Sequence, residues 1–245
     1  AWSIRALALA RDGRPAEGAA SALQALSLAP NDAGALAFLA ESYRMADEIN
    51  LAQETAERAI EADPNRYEGY FVRALISYIN AGDWETARED FVIARDLAPN
   101  LVYIATEMAW VEWWYDNTDL SMEMLETVIE NNPQNLDALY ELGFFSYETY
   151  GDPDTSIDYL SRCVSADPRN ISCLAYLALV QSAIGNTNNA IDTYRLLMQT
   201  GTSDPRYYLR AGSLMADSGN CPEALPILRQ GLQFERSTEE PNAER

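Results

Sequence analysis

Six prolines recur at an almost constant spacing along the 245-residue chain. The successive differences in position are 34, 35, 34, 35 and 37 residues. Most of these prolines stand in similar settings, for example Leu28-Ala29-Pro30-Asn31 and Leu97-Ala98-Pro99-Asn100. A fixed period in this range is typical of a repeat array, in which each unit packs on its neighbours. The six are Pro30, Pro64, Pro99, Pro133, Pro168 and Pro205.

Each period contains two amphipathic stretches of about 12 to 15 residues, separated by a short polar turn such as Asn80-Ala81-Gly82-Asp83. Apolar residues recur three and four positions apart in both stretches, which predicts a pair of helices per period. The proline follows the second helix and ends it, because its ring and its missing N–H cannot continue the hydrogen-bond ladder. The sequence therefore predicts an all-α array of helix pairs.

The small and large residues of these helix pairs resemble the tetratricopeptide repeat family. The second period carries Leu39-Ala40 and Tyr43, then Ala52, Ala56 and Ala59 before its proline. The third carries Tyr78, Gly82-Asp83-Trp84, Phe91 and Ala94, the fifth Leu142-Gly143, the sixth Leu177-Ala178, and the seventh Ala211-Gly212. The small residues let neighbouring helix backbones approach closely while large side chains interleave around them.

This resemblance implies a right-handed α-solenoid of about seven helix-turn-helix repeats in a single superhelix over residues 1–235, followed by a disordered tail or linker. Ser121, Leu125 and Val128 depart from the pattern in the fourth repeat, where Ala, an aromatic residue and Ala are expected. The expected repeats are residues 1–30, 31–64, 65–99, 100–133, 134–168, 169–204 and 205–235, and the tail is 236–245.

The charged residues exclude most functions that depend on bases. The chain has 38 acidic residues against 17 basic ones, the basic residues are all Arg, and it contains neither His nor Lys. Without these side chains there is no imidazole base, no imidazole metal ligand and no Schiff-base lysine. We therefore expect no catalytic residues, no metal site and no cofactor. So acidic a chain also lacks the clustered positive charge that nucleic-acid binding requires.

The chain contains no apolar stretch of the roughly 18 to 20 residues that a membrane span requires, so we expect no direct membrane insertion. Its first residues do not resemble a signal peptide, and the chain opens within the helical pattern without a cap. We interpret it as a piece of a longer bacterial protein, cytoplasmic or exported to the cell envelope. Cys163, Cys173 and Cys221 are interpreted as buried thiols, with a Cys163–Cys173 disulfide, typical of an oxidising compartment, as the alternative.

Three of the five tryptophans, Trp110, Trp113 and Trp114, lie within one predicted first helix. They belong to a run from Asp96 to Ser161 that holds fourteen Asp and Glu residues and no base. First helices of stacked repeats line a concave groove. We predict a ligand-binding groove formed by Ile76, Ile79, Tyr103, Glu107, Trp110, Trp113, Trp114, Tyr140, Glu141, Phe144 and Tyr147.

Each of these aromatic side chains could instead be a core residue, and each acid a solvated surface residue. Adjacent helical residues point about 100° apart, however, so three tryptophans within five positions cannot all face one interior. We predict that Met108, Ala109 and Val111 pack inside. The two-sided carboxylate clamp known in the family requires converging Lys, Arg and Asn, a pattern missing here, where Arg44 and Arg73 come closest.

These features predict a non-catalytic protein-interaction scaffold that binds an extended cationic or apolar segment of a protein or peptide. A negative field would steer a cationic segment, whose Arg or Lys side chains can lie on aromatic faces. A carbohydrate stacking on the same rings is a competing interpretation. The alternative from another class is a structural subunit that self-assembles through the aromatic patch or through its uncapped last helix.

Overall fold

A computed structural model describes residues 13–239, with side chains up to residue 236. Within that range the chain forms thirteen α-helices and one π-helical turn, and no strand. The helices, numbered in chain order, are α1 Pro15–Leu28, α2 Ala33–Met45, α3 Ile49–Ala62, α4 Tyr67–Leu75, α5 Trp84–Leu97, α6 Val102–Trp114, α7 Thr118–Asn131, α8 Leu136–Glu148, α9 Pro153–Ala166, α10 Ile171–Ala183, α11 Thr187–Gln199, α12 Pro205–Asp217 and α13 Cys221–Glu239. This architecture confirms the predicted all-α array of helix-turn-helix repeats.

Five of the recurring prolines stand two residues beyond the end of a second helix, as the spacing predicts. Helices α1, α3, α5, α7 and α9 end at Leu28, Ala62, Leu97, Asn131 and Ala166. Pro205 differs, since it is the first residue of α12. Proline is well accommodated at that position because the first N–H groups of a helix have no intrahelical acceptor.

The chain divides into two compact units, residues 1–124 and 125–245, which we call unit 1 and unit 2. In unit 1, each of the helices α1 to α5 packs on the next one, and the first helices α2 and α4 also contact each other. Their core is built around fully buried alanines and two phenylalanines, Phe71 and Phe91, whose ring centroids are 5.7 Å apart. Ala52, Ala56 and Ala94 are at most 1% exposed, which confirms their predicted role as packing positions.

Helix α4 does not end in regular α-helix but continues into a π-helical turn, Ile76–Ala81. Gly82 ends this turn with a left-handed backbone, φ 66°, a conformation that glycine adopts without steric cost. The N–H of Asp83 then donates to the carbonyl of Ser77 at 2.9 Å, and the Asp83 side chain caps α5 by accepting from the N–H of Thr86. The π-helical turn was not predicted from the sequence.

In unit 2, each of the helices α8 to α12 again packs on the next one, and the first helices α8 and α10 contact each other. Gly143 of α8 lies directly against α9. A Cβ atom placed on Gly143 would come within 2.6 Å of Cγ of Leu160, so the two helix backbones approach closely because this residue has no side chain.

Cys163 of α9 and Cys173 of α10 form a disulfide with Cα atoms 6.2 Å apart. The interpretation of these cysteines as buried thiols is therefore wrong, and the alternative bridge is present. The bridge is local, because the two residues are separated by ten positions and lie on consecutive helices at the junction of two repeats. Cys221 is a free, exposed cysteine at the start of α13.

The last helix is longer than predicted, since α13 continues to Glu239. The predicted tail therefore begins inside this helix, and only residues 240–245 lie beyond the described range. The predicted first helix of the first repeat falls mostly on residues 1–12, which also lie outside the described residues.

Candidate functional site

Five aromatic residues of unit 1 form a connected row that we call the indole strip: Tyr78, Trp84, Trp114, Trp113 and Trp110. Trp84 and Trp114 are stacked, with ring centroids 5.4 Å apart and ring planes 19° from parallel. Trp113 meets Trp114 edge-on at 4.9 Å and Trp110 edge-on at 5.8 Å. Tyr78 extends the row at 5.9 Å from Trp84. All these centroid distances lie in the range in which aromatic rings attract each other.

The indole strip is partly open to solvent. Trp114 is 55% exposed, whereas Trp84, Trp110 and Trp113 are half-buried. The same helix buries Met108, Ala109 and Val111, at 3%, 0% and 0% exposure, which confirms that these three are packing residues.

Trp114 was predicted to line a groove formed by first helices, but its stacking partner belongs to a second helix. Trp114 is the last residue of the first helix α6, and its partner Trp84 is the first residue of the second helix α5. The stack therefore lies at the start of α5 and the end of α6. The aromatic surface thus includes a residue of a second helix.

Helix α6 also carries a buried carboxylate, that of Glu112. Glu112 is fully buried and accepts hydrogen bonds from Nε of Arg88 at 2.6 Å and from the Asn117 side chain at 2.7 Å. Its hydrogen bond and its charge raise the pKa of Arg88. The Arg88 guanidinium also lies 5.5 Å from the ring centroid of Tyr115, which is 45% exposed. Glu112 thus belongs to the folded core and not to a ligand site.

The predicted groove residues Tyr103 and Glu107 are half-buried on α6 and contact the neighbouring first helix. The Tyr103 hydroxyl donates to the hydroxyl of Tyr67 at 2.8 Å, and its ring meets Phe71 edge-on at 5.0 Å. Glu107 accepts a hydrogen bond from the Tyr78 hydroxyl at 2.7 Å. Tyr78 therefore joins the first-helix face to the indole strip.

Arg44 and Arg73, the two arginines that come closest to a carboxylate clamp in the sequence, are both paired with carboxylates of the chain itself. Arg44 makes two hydrogen bonds to Glu41, at 2.8 and 3.0 Å. Burial opposes the charged form of Arg44, but the hydrogen bond and the charge of Glu41 outweigh it and raise the pKa. Arg73 makes two hydrogen bonds to Asp90, at 2.7 and 2.8 Å. Both arginines are therefore held by carboxylates of the fold.

Ile76 and Ile79 were both predicted to line the groove, and the structure separates them. Ile79 is 48% exposed, but Ile76 is only 3% exposed and belongs to the core of unit 1. Ile76 continues the buried stripe of Val72 and Leu75 at helical spacing, so its prediction as a ligand residue is wrong.

The first-helix residues predicted in unit 2 gather around Tyr176 of α10. Its ring centroid is 6.1 Å from that of Tyr140, 5.0 Å from Phe144 and 6.4 Å from Tyr147. Tyr176 donates a hydrogen bond to Glu148 at 2.5 Å, and burial together with this bond strongly raises its pKa. Burial, followed by the charge of Glu141, raises the pKa of Tyr140. Glu141 itself is 6% exposed.

Two adjoining open cavities extend along this aromatic cluster, and they share Leu179 and Arg210. The smaller has a volume of about 240 Å³ and is lined by residues of three successive first helices, α8, α10 and α12. The larger, of about 510 Å³, continues between α10 and α12. Unit 2 therefore has a continuous groove, which we call the unit 2 groove. Its walls are first helices except for Tyr194 of the second helix α11.

The α12 side of the unit 2 groove was missed in the list predicted from the sequence. It includes Tyr207, Arg206 and Arg210. Arg206 is paired with Asp204 through hydrogen bonds at 3.0 Å, and this arginine lowers the pKa of Asp204. The pair Tyr207-Tyr208 was a usable signal, but the long linker before Pro205 obscured the register of the seventh repeat.

Within residues 13–239, no group of three Cys, Asp or Glu side chains is placed to hold a metal ion. None of the helices in the described part of the chain is both long enough and apolar enough to cross a membrane.

The paired helices and the aromatic first-helix faces define a helical-repeat protein, and comparison with known proteins identifies the repeat. No protein-family model matches the chain. A solved tetratricopeptide repeat protein from Parabacteroides merdae matches 99% of this chain and 93% of its own, with a TM-score of 0.66 and 14% identity. A chain of the APC/C hetero-tetramer Cut9–Hcn1 matches 99% of this chain with a TM-score of 0.76 and 15% identity. The chain thus has the tetratricopeptide-repeat fold.

A curated relative is similar in sequence, the Protein CTR9 homolog of Arabidopsis thaliana. It is 25% identical over 187 residues, which is 73% of this chain. This chain spans only 17% of that relative and 46% of the matched chain from the Cut9–Hcn1 assembly. The matches therefore establish the fold of the repeats.

Proposed function

We propose that this protein is a non-catalytic scaffold whose first-helix faces bind an extended segment of another protein. The observation that carries the proposal is the unit 2 groove. Its two cavities, of about 240 and 510 Å³, adjoin along three successive first helices. An open groove that passes from repeat to repeat suits an extended chain, which can place successive side chains against successive helices.

The lining of the unit 2 groove favours apolar side chains. Tyr140, Tyr176 and Leu179 provide apolar and aromatic contact. Aromatic rings contribute large contact areas at a low cost in side-chain entropy. The charged lining residues are mixed in sign, because Asp217 provides a carboxylate, Arg206 is paired with Asp204, and Arg210 lines both cavities.

The fold comparison supports an interaction role without specifying a ligand. The matched Cut9–Hcn1 chain comes from a hetero-tetramer of two different proteins. This chain is similar to it in fold. Its formal charge of −21 makes a basic or apolar protein segment a more favourable ligand than an acidic one.

A phage-displayed library of random dodecapeptides tests the proposal on the full chain. Peptides are selected on the wild type and counter-selected on Tyr207→Ala, because Tyr207 lines the groove and is only half-buried. An enriched peptide is then synthesised, and its affinity is measured by calorimetry. We expect binding to weaken by roughly tenfold or more in Tyr207→Ala, as for a central aromatic contact.

The matched control is Leu196→Ala, which removes an exposed apolar side chain from the second helix α11. Peptides that bind the wild type and Leu196→Ala equally well, but not Tyr207→Ala, support the groove. If no peptide distinguishes Tyr207→Ala from the wild type, the proposal is wrong.

Self-assembly is the second candidate, and the last helix favours it. Leu225 and Leu232 of α13 are 54% and 45% exposed, and a second copy of the chain could cover these apolar side chains. Sedimentation over a hundredfold range of protein concentration tests it. A mass that rises with concentration in the wild type but not in a Leu225→Ser/Leu232→Ser variant would favour assembly, and a constant monomer mass would exclude it.

A further inference from the structure

We infer that the indole strip of unit 1 is a second docking surface, which takes a basic peptide of a partner protein by placing an arginine side chain on the exposed part of Trp114, the ring that Trp84 supports from its other side. The inference deepens the proposed function and rests on it, since it assumes an interaction scaffold. It concerns a different surface, in the other unit, and can fail on its own.

The indole strip exposes aromatic surface to solvent. Trp114 is 55% exposed, and it contacts the half-buried rings of Trp113 and Trp84. Near the strip in the sequence, Tyr115, Ile79 and Leu120 are 45%, 48% and 39% exposed. Single exposed apolar residues are common, but adjoining aromatic rings that are open to solvent usually mark an interaction surface. The stack with Trp84 also holds the Trp114 ring in place, so a ligand would lose little entropy in ordering it.

Acidic residues flank both stacked tryptophans in the sequence. Asp83 and Glu85 lie on either side of Trp84, and Asp116 and Asp119 follow Trp114 closely. Arg88 and Arg95, the two bases of α5, are paired with Glu112 and Asp96. Acidic side chains around an apolar surface attract a cation and repel an anion, and they add nothing for a neutral ligand. Charge complementarity therefore favours a basic partner.

The protein already places guanidinium groups over aromatic rings elsewhere in its fold. Arg88 lies 5.5 Å from the ring centroid of Tyr115, and Arg73 lies 5.8 Å from that of Tyr70. Indole binds cations better than phenol does. Trp84 covers one face of Trp114, but among residues 13–239 no guanidinium lies over either ring, so no arginine of the described chain competes for the exposed part of Trp114.

The test uses the full chain and a dye-labelled synthetic dodecapeptide of alternating glycine and arginine, with binding followed by fluorescence anisotropy. Two peptides of the same length, with citrulline or glutamate in place of arginine, and cellohexaose serve as comparison ligands. We expect the arginine peptide to bind most tightly and to bind more weakly as salt rises. Citrulline keeps the shape of arginine but removes its charge, so it separates cation binding from planar stacking.

Trp114→Ala should weaken binding of the arginine peptide roughly three- to thirtyfold, the range that one cation–π contact covers from an exposed to a desolvated site. The affinity of Trp114→Phe for the arginine peptide should lie between those of the wild type and Trp114→Ala, because phenylalanine keeps a smaller aromatic ring. Tyr150→Ala is the matched control, since Tyr150 is an exposed aromatic residue outside the strip, and it should bind as the wild type does. Circular dichroism checks that each variant is folded.

Four results would each overturn the inference: no binding of the arginine peptide, unchanged affinity in Trp114→Ala, equal affinity for the citrulline peptide, or tighter binding of cellohexaose that Trp114→Ala abolishes. Tyr207→Ala separates this inference from the proposed function. It should leave the arginine peptide unaffected while it abolishes binding of the peptide selected on the unit 2 groove. The inference about the indole strip can thus be wrong while the proposal for the unit 2 groove holds, and the reverse is also possible.

Discussion

Trp84 and Trp114 are stacked at 5.4 Å, although one begins the second helix of its repeat and the other ends the first helix of the next repeat. Trp114 is still 55% exposed in this arrangement. The stack therefore joins two repeats and at the same time presents an aromatic surface to solvent.

A double-mutant cycle on Trp84→Ala and Trp114→Ala should give a coupling energy of about 0.5 to 1.5 kcal/mol, as aromatic pairs contribute beyond their buried area. Urea unfolding followed by circular dichroism measures it. The cycle of Trp84→Ala with Tyr150→Ala is the control and should give no coupling, since Tyr150 lies in unit 2. A coupling of zero between the two tryptophans would show that the stack does not form in solution.

Removing Arg88 should destabilise the protein more than removing another surface arginine. Arg88→Ala leaves the fully buried carboxylate of Glu112 with Asn117 as its remaining donor, and a buried charge that loses its partner typically costs up to about 3 kcal/mol. Arg95→Ala is the control, because Arg95 is about as exposed as Arg88 but its partner Asp96 is exposed as well, so this pair should contribute less than about 1 kcal/mol. The free energies of unfolding in urea decide between these values, and equal losses in the two variants would contradict a buried, paired Glu112.

The disulfide predicts how many thiols react. Oxidised protein in denaturant should take up one iodoacetamide, at Cys221, and reduced protein three. Cys163→Ala/Cys173→Ala should lower the free energy of unfolding by about 2 to 4 kcal/mol, because the cross-link restricts the unfolded chain. Cys221→Ala is the control and should unfold as the wild type does. Three reactive thiols in the protein purified without reductant would contradict the bridge.

Gly143→Ala should destabilise unit 2 by about 1 to 3 kcal/mol, because the added methyl group would overlap Leu160 at 2.6 Å. Gly34→Ala is the matched control, since Gly34 also lies in a first helix but the nearest neighbour of a Cβ atom there would be the end of the long Arg66 side chain, at 3.1 Å. That variant should be neutral or stabilising, because alanine favours helix over glycine by up to about 1 kcal/mol. Thermal unfolding that ranks the two variants the other way would exclude the close approach of α8 and α9.

The repeat pattern could be predicted from the sequence because the effects of proline and alanine depend mainly on their own position in a helix. Pro64 and Pro99 end helices by their own geometry, and the buried Ala52 and Ala56 occupy positions that helical spacing assigns to the interior. Met108 was placed correctly for the same reason.

The candidate site was less predictable because its residues depend on how helices pair. Trp114 turns to Trp84 because of the position of α5 beside α6, which no periodicity reports. Ile76 stands at the start of a π-helical turn that has no simple sequence signal. The Cys163–Cys173 bridge required the distance between α9 and α10, which the spacing of ten residues left open.

Site-specific photo-crosslinking tests most directly whether a protein segment binds along the first helices. A photoreactive benzoylphenylalanine replaces Tyr207 or Tyr147 on first helices, or the exposed Leu196 on the second helix α11, and each variant is irradiated with the selected dodecapeptide. The proposed function predicts crosslinks from Tyr207→benzoylphenylalanine and Tyr147→benzoylphenylalanine and none from Leu196→benzoylphenylalanine. Crosslinking from the Leu196 position alone would contradict it.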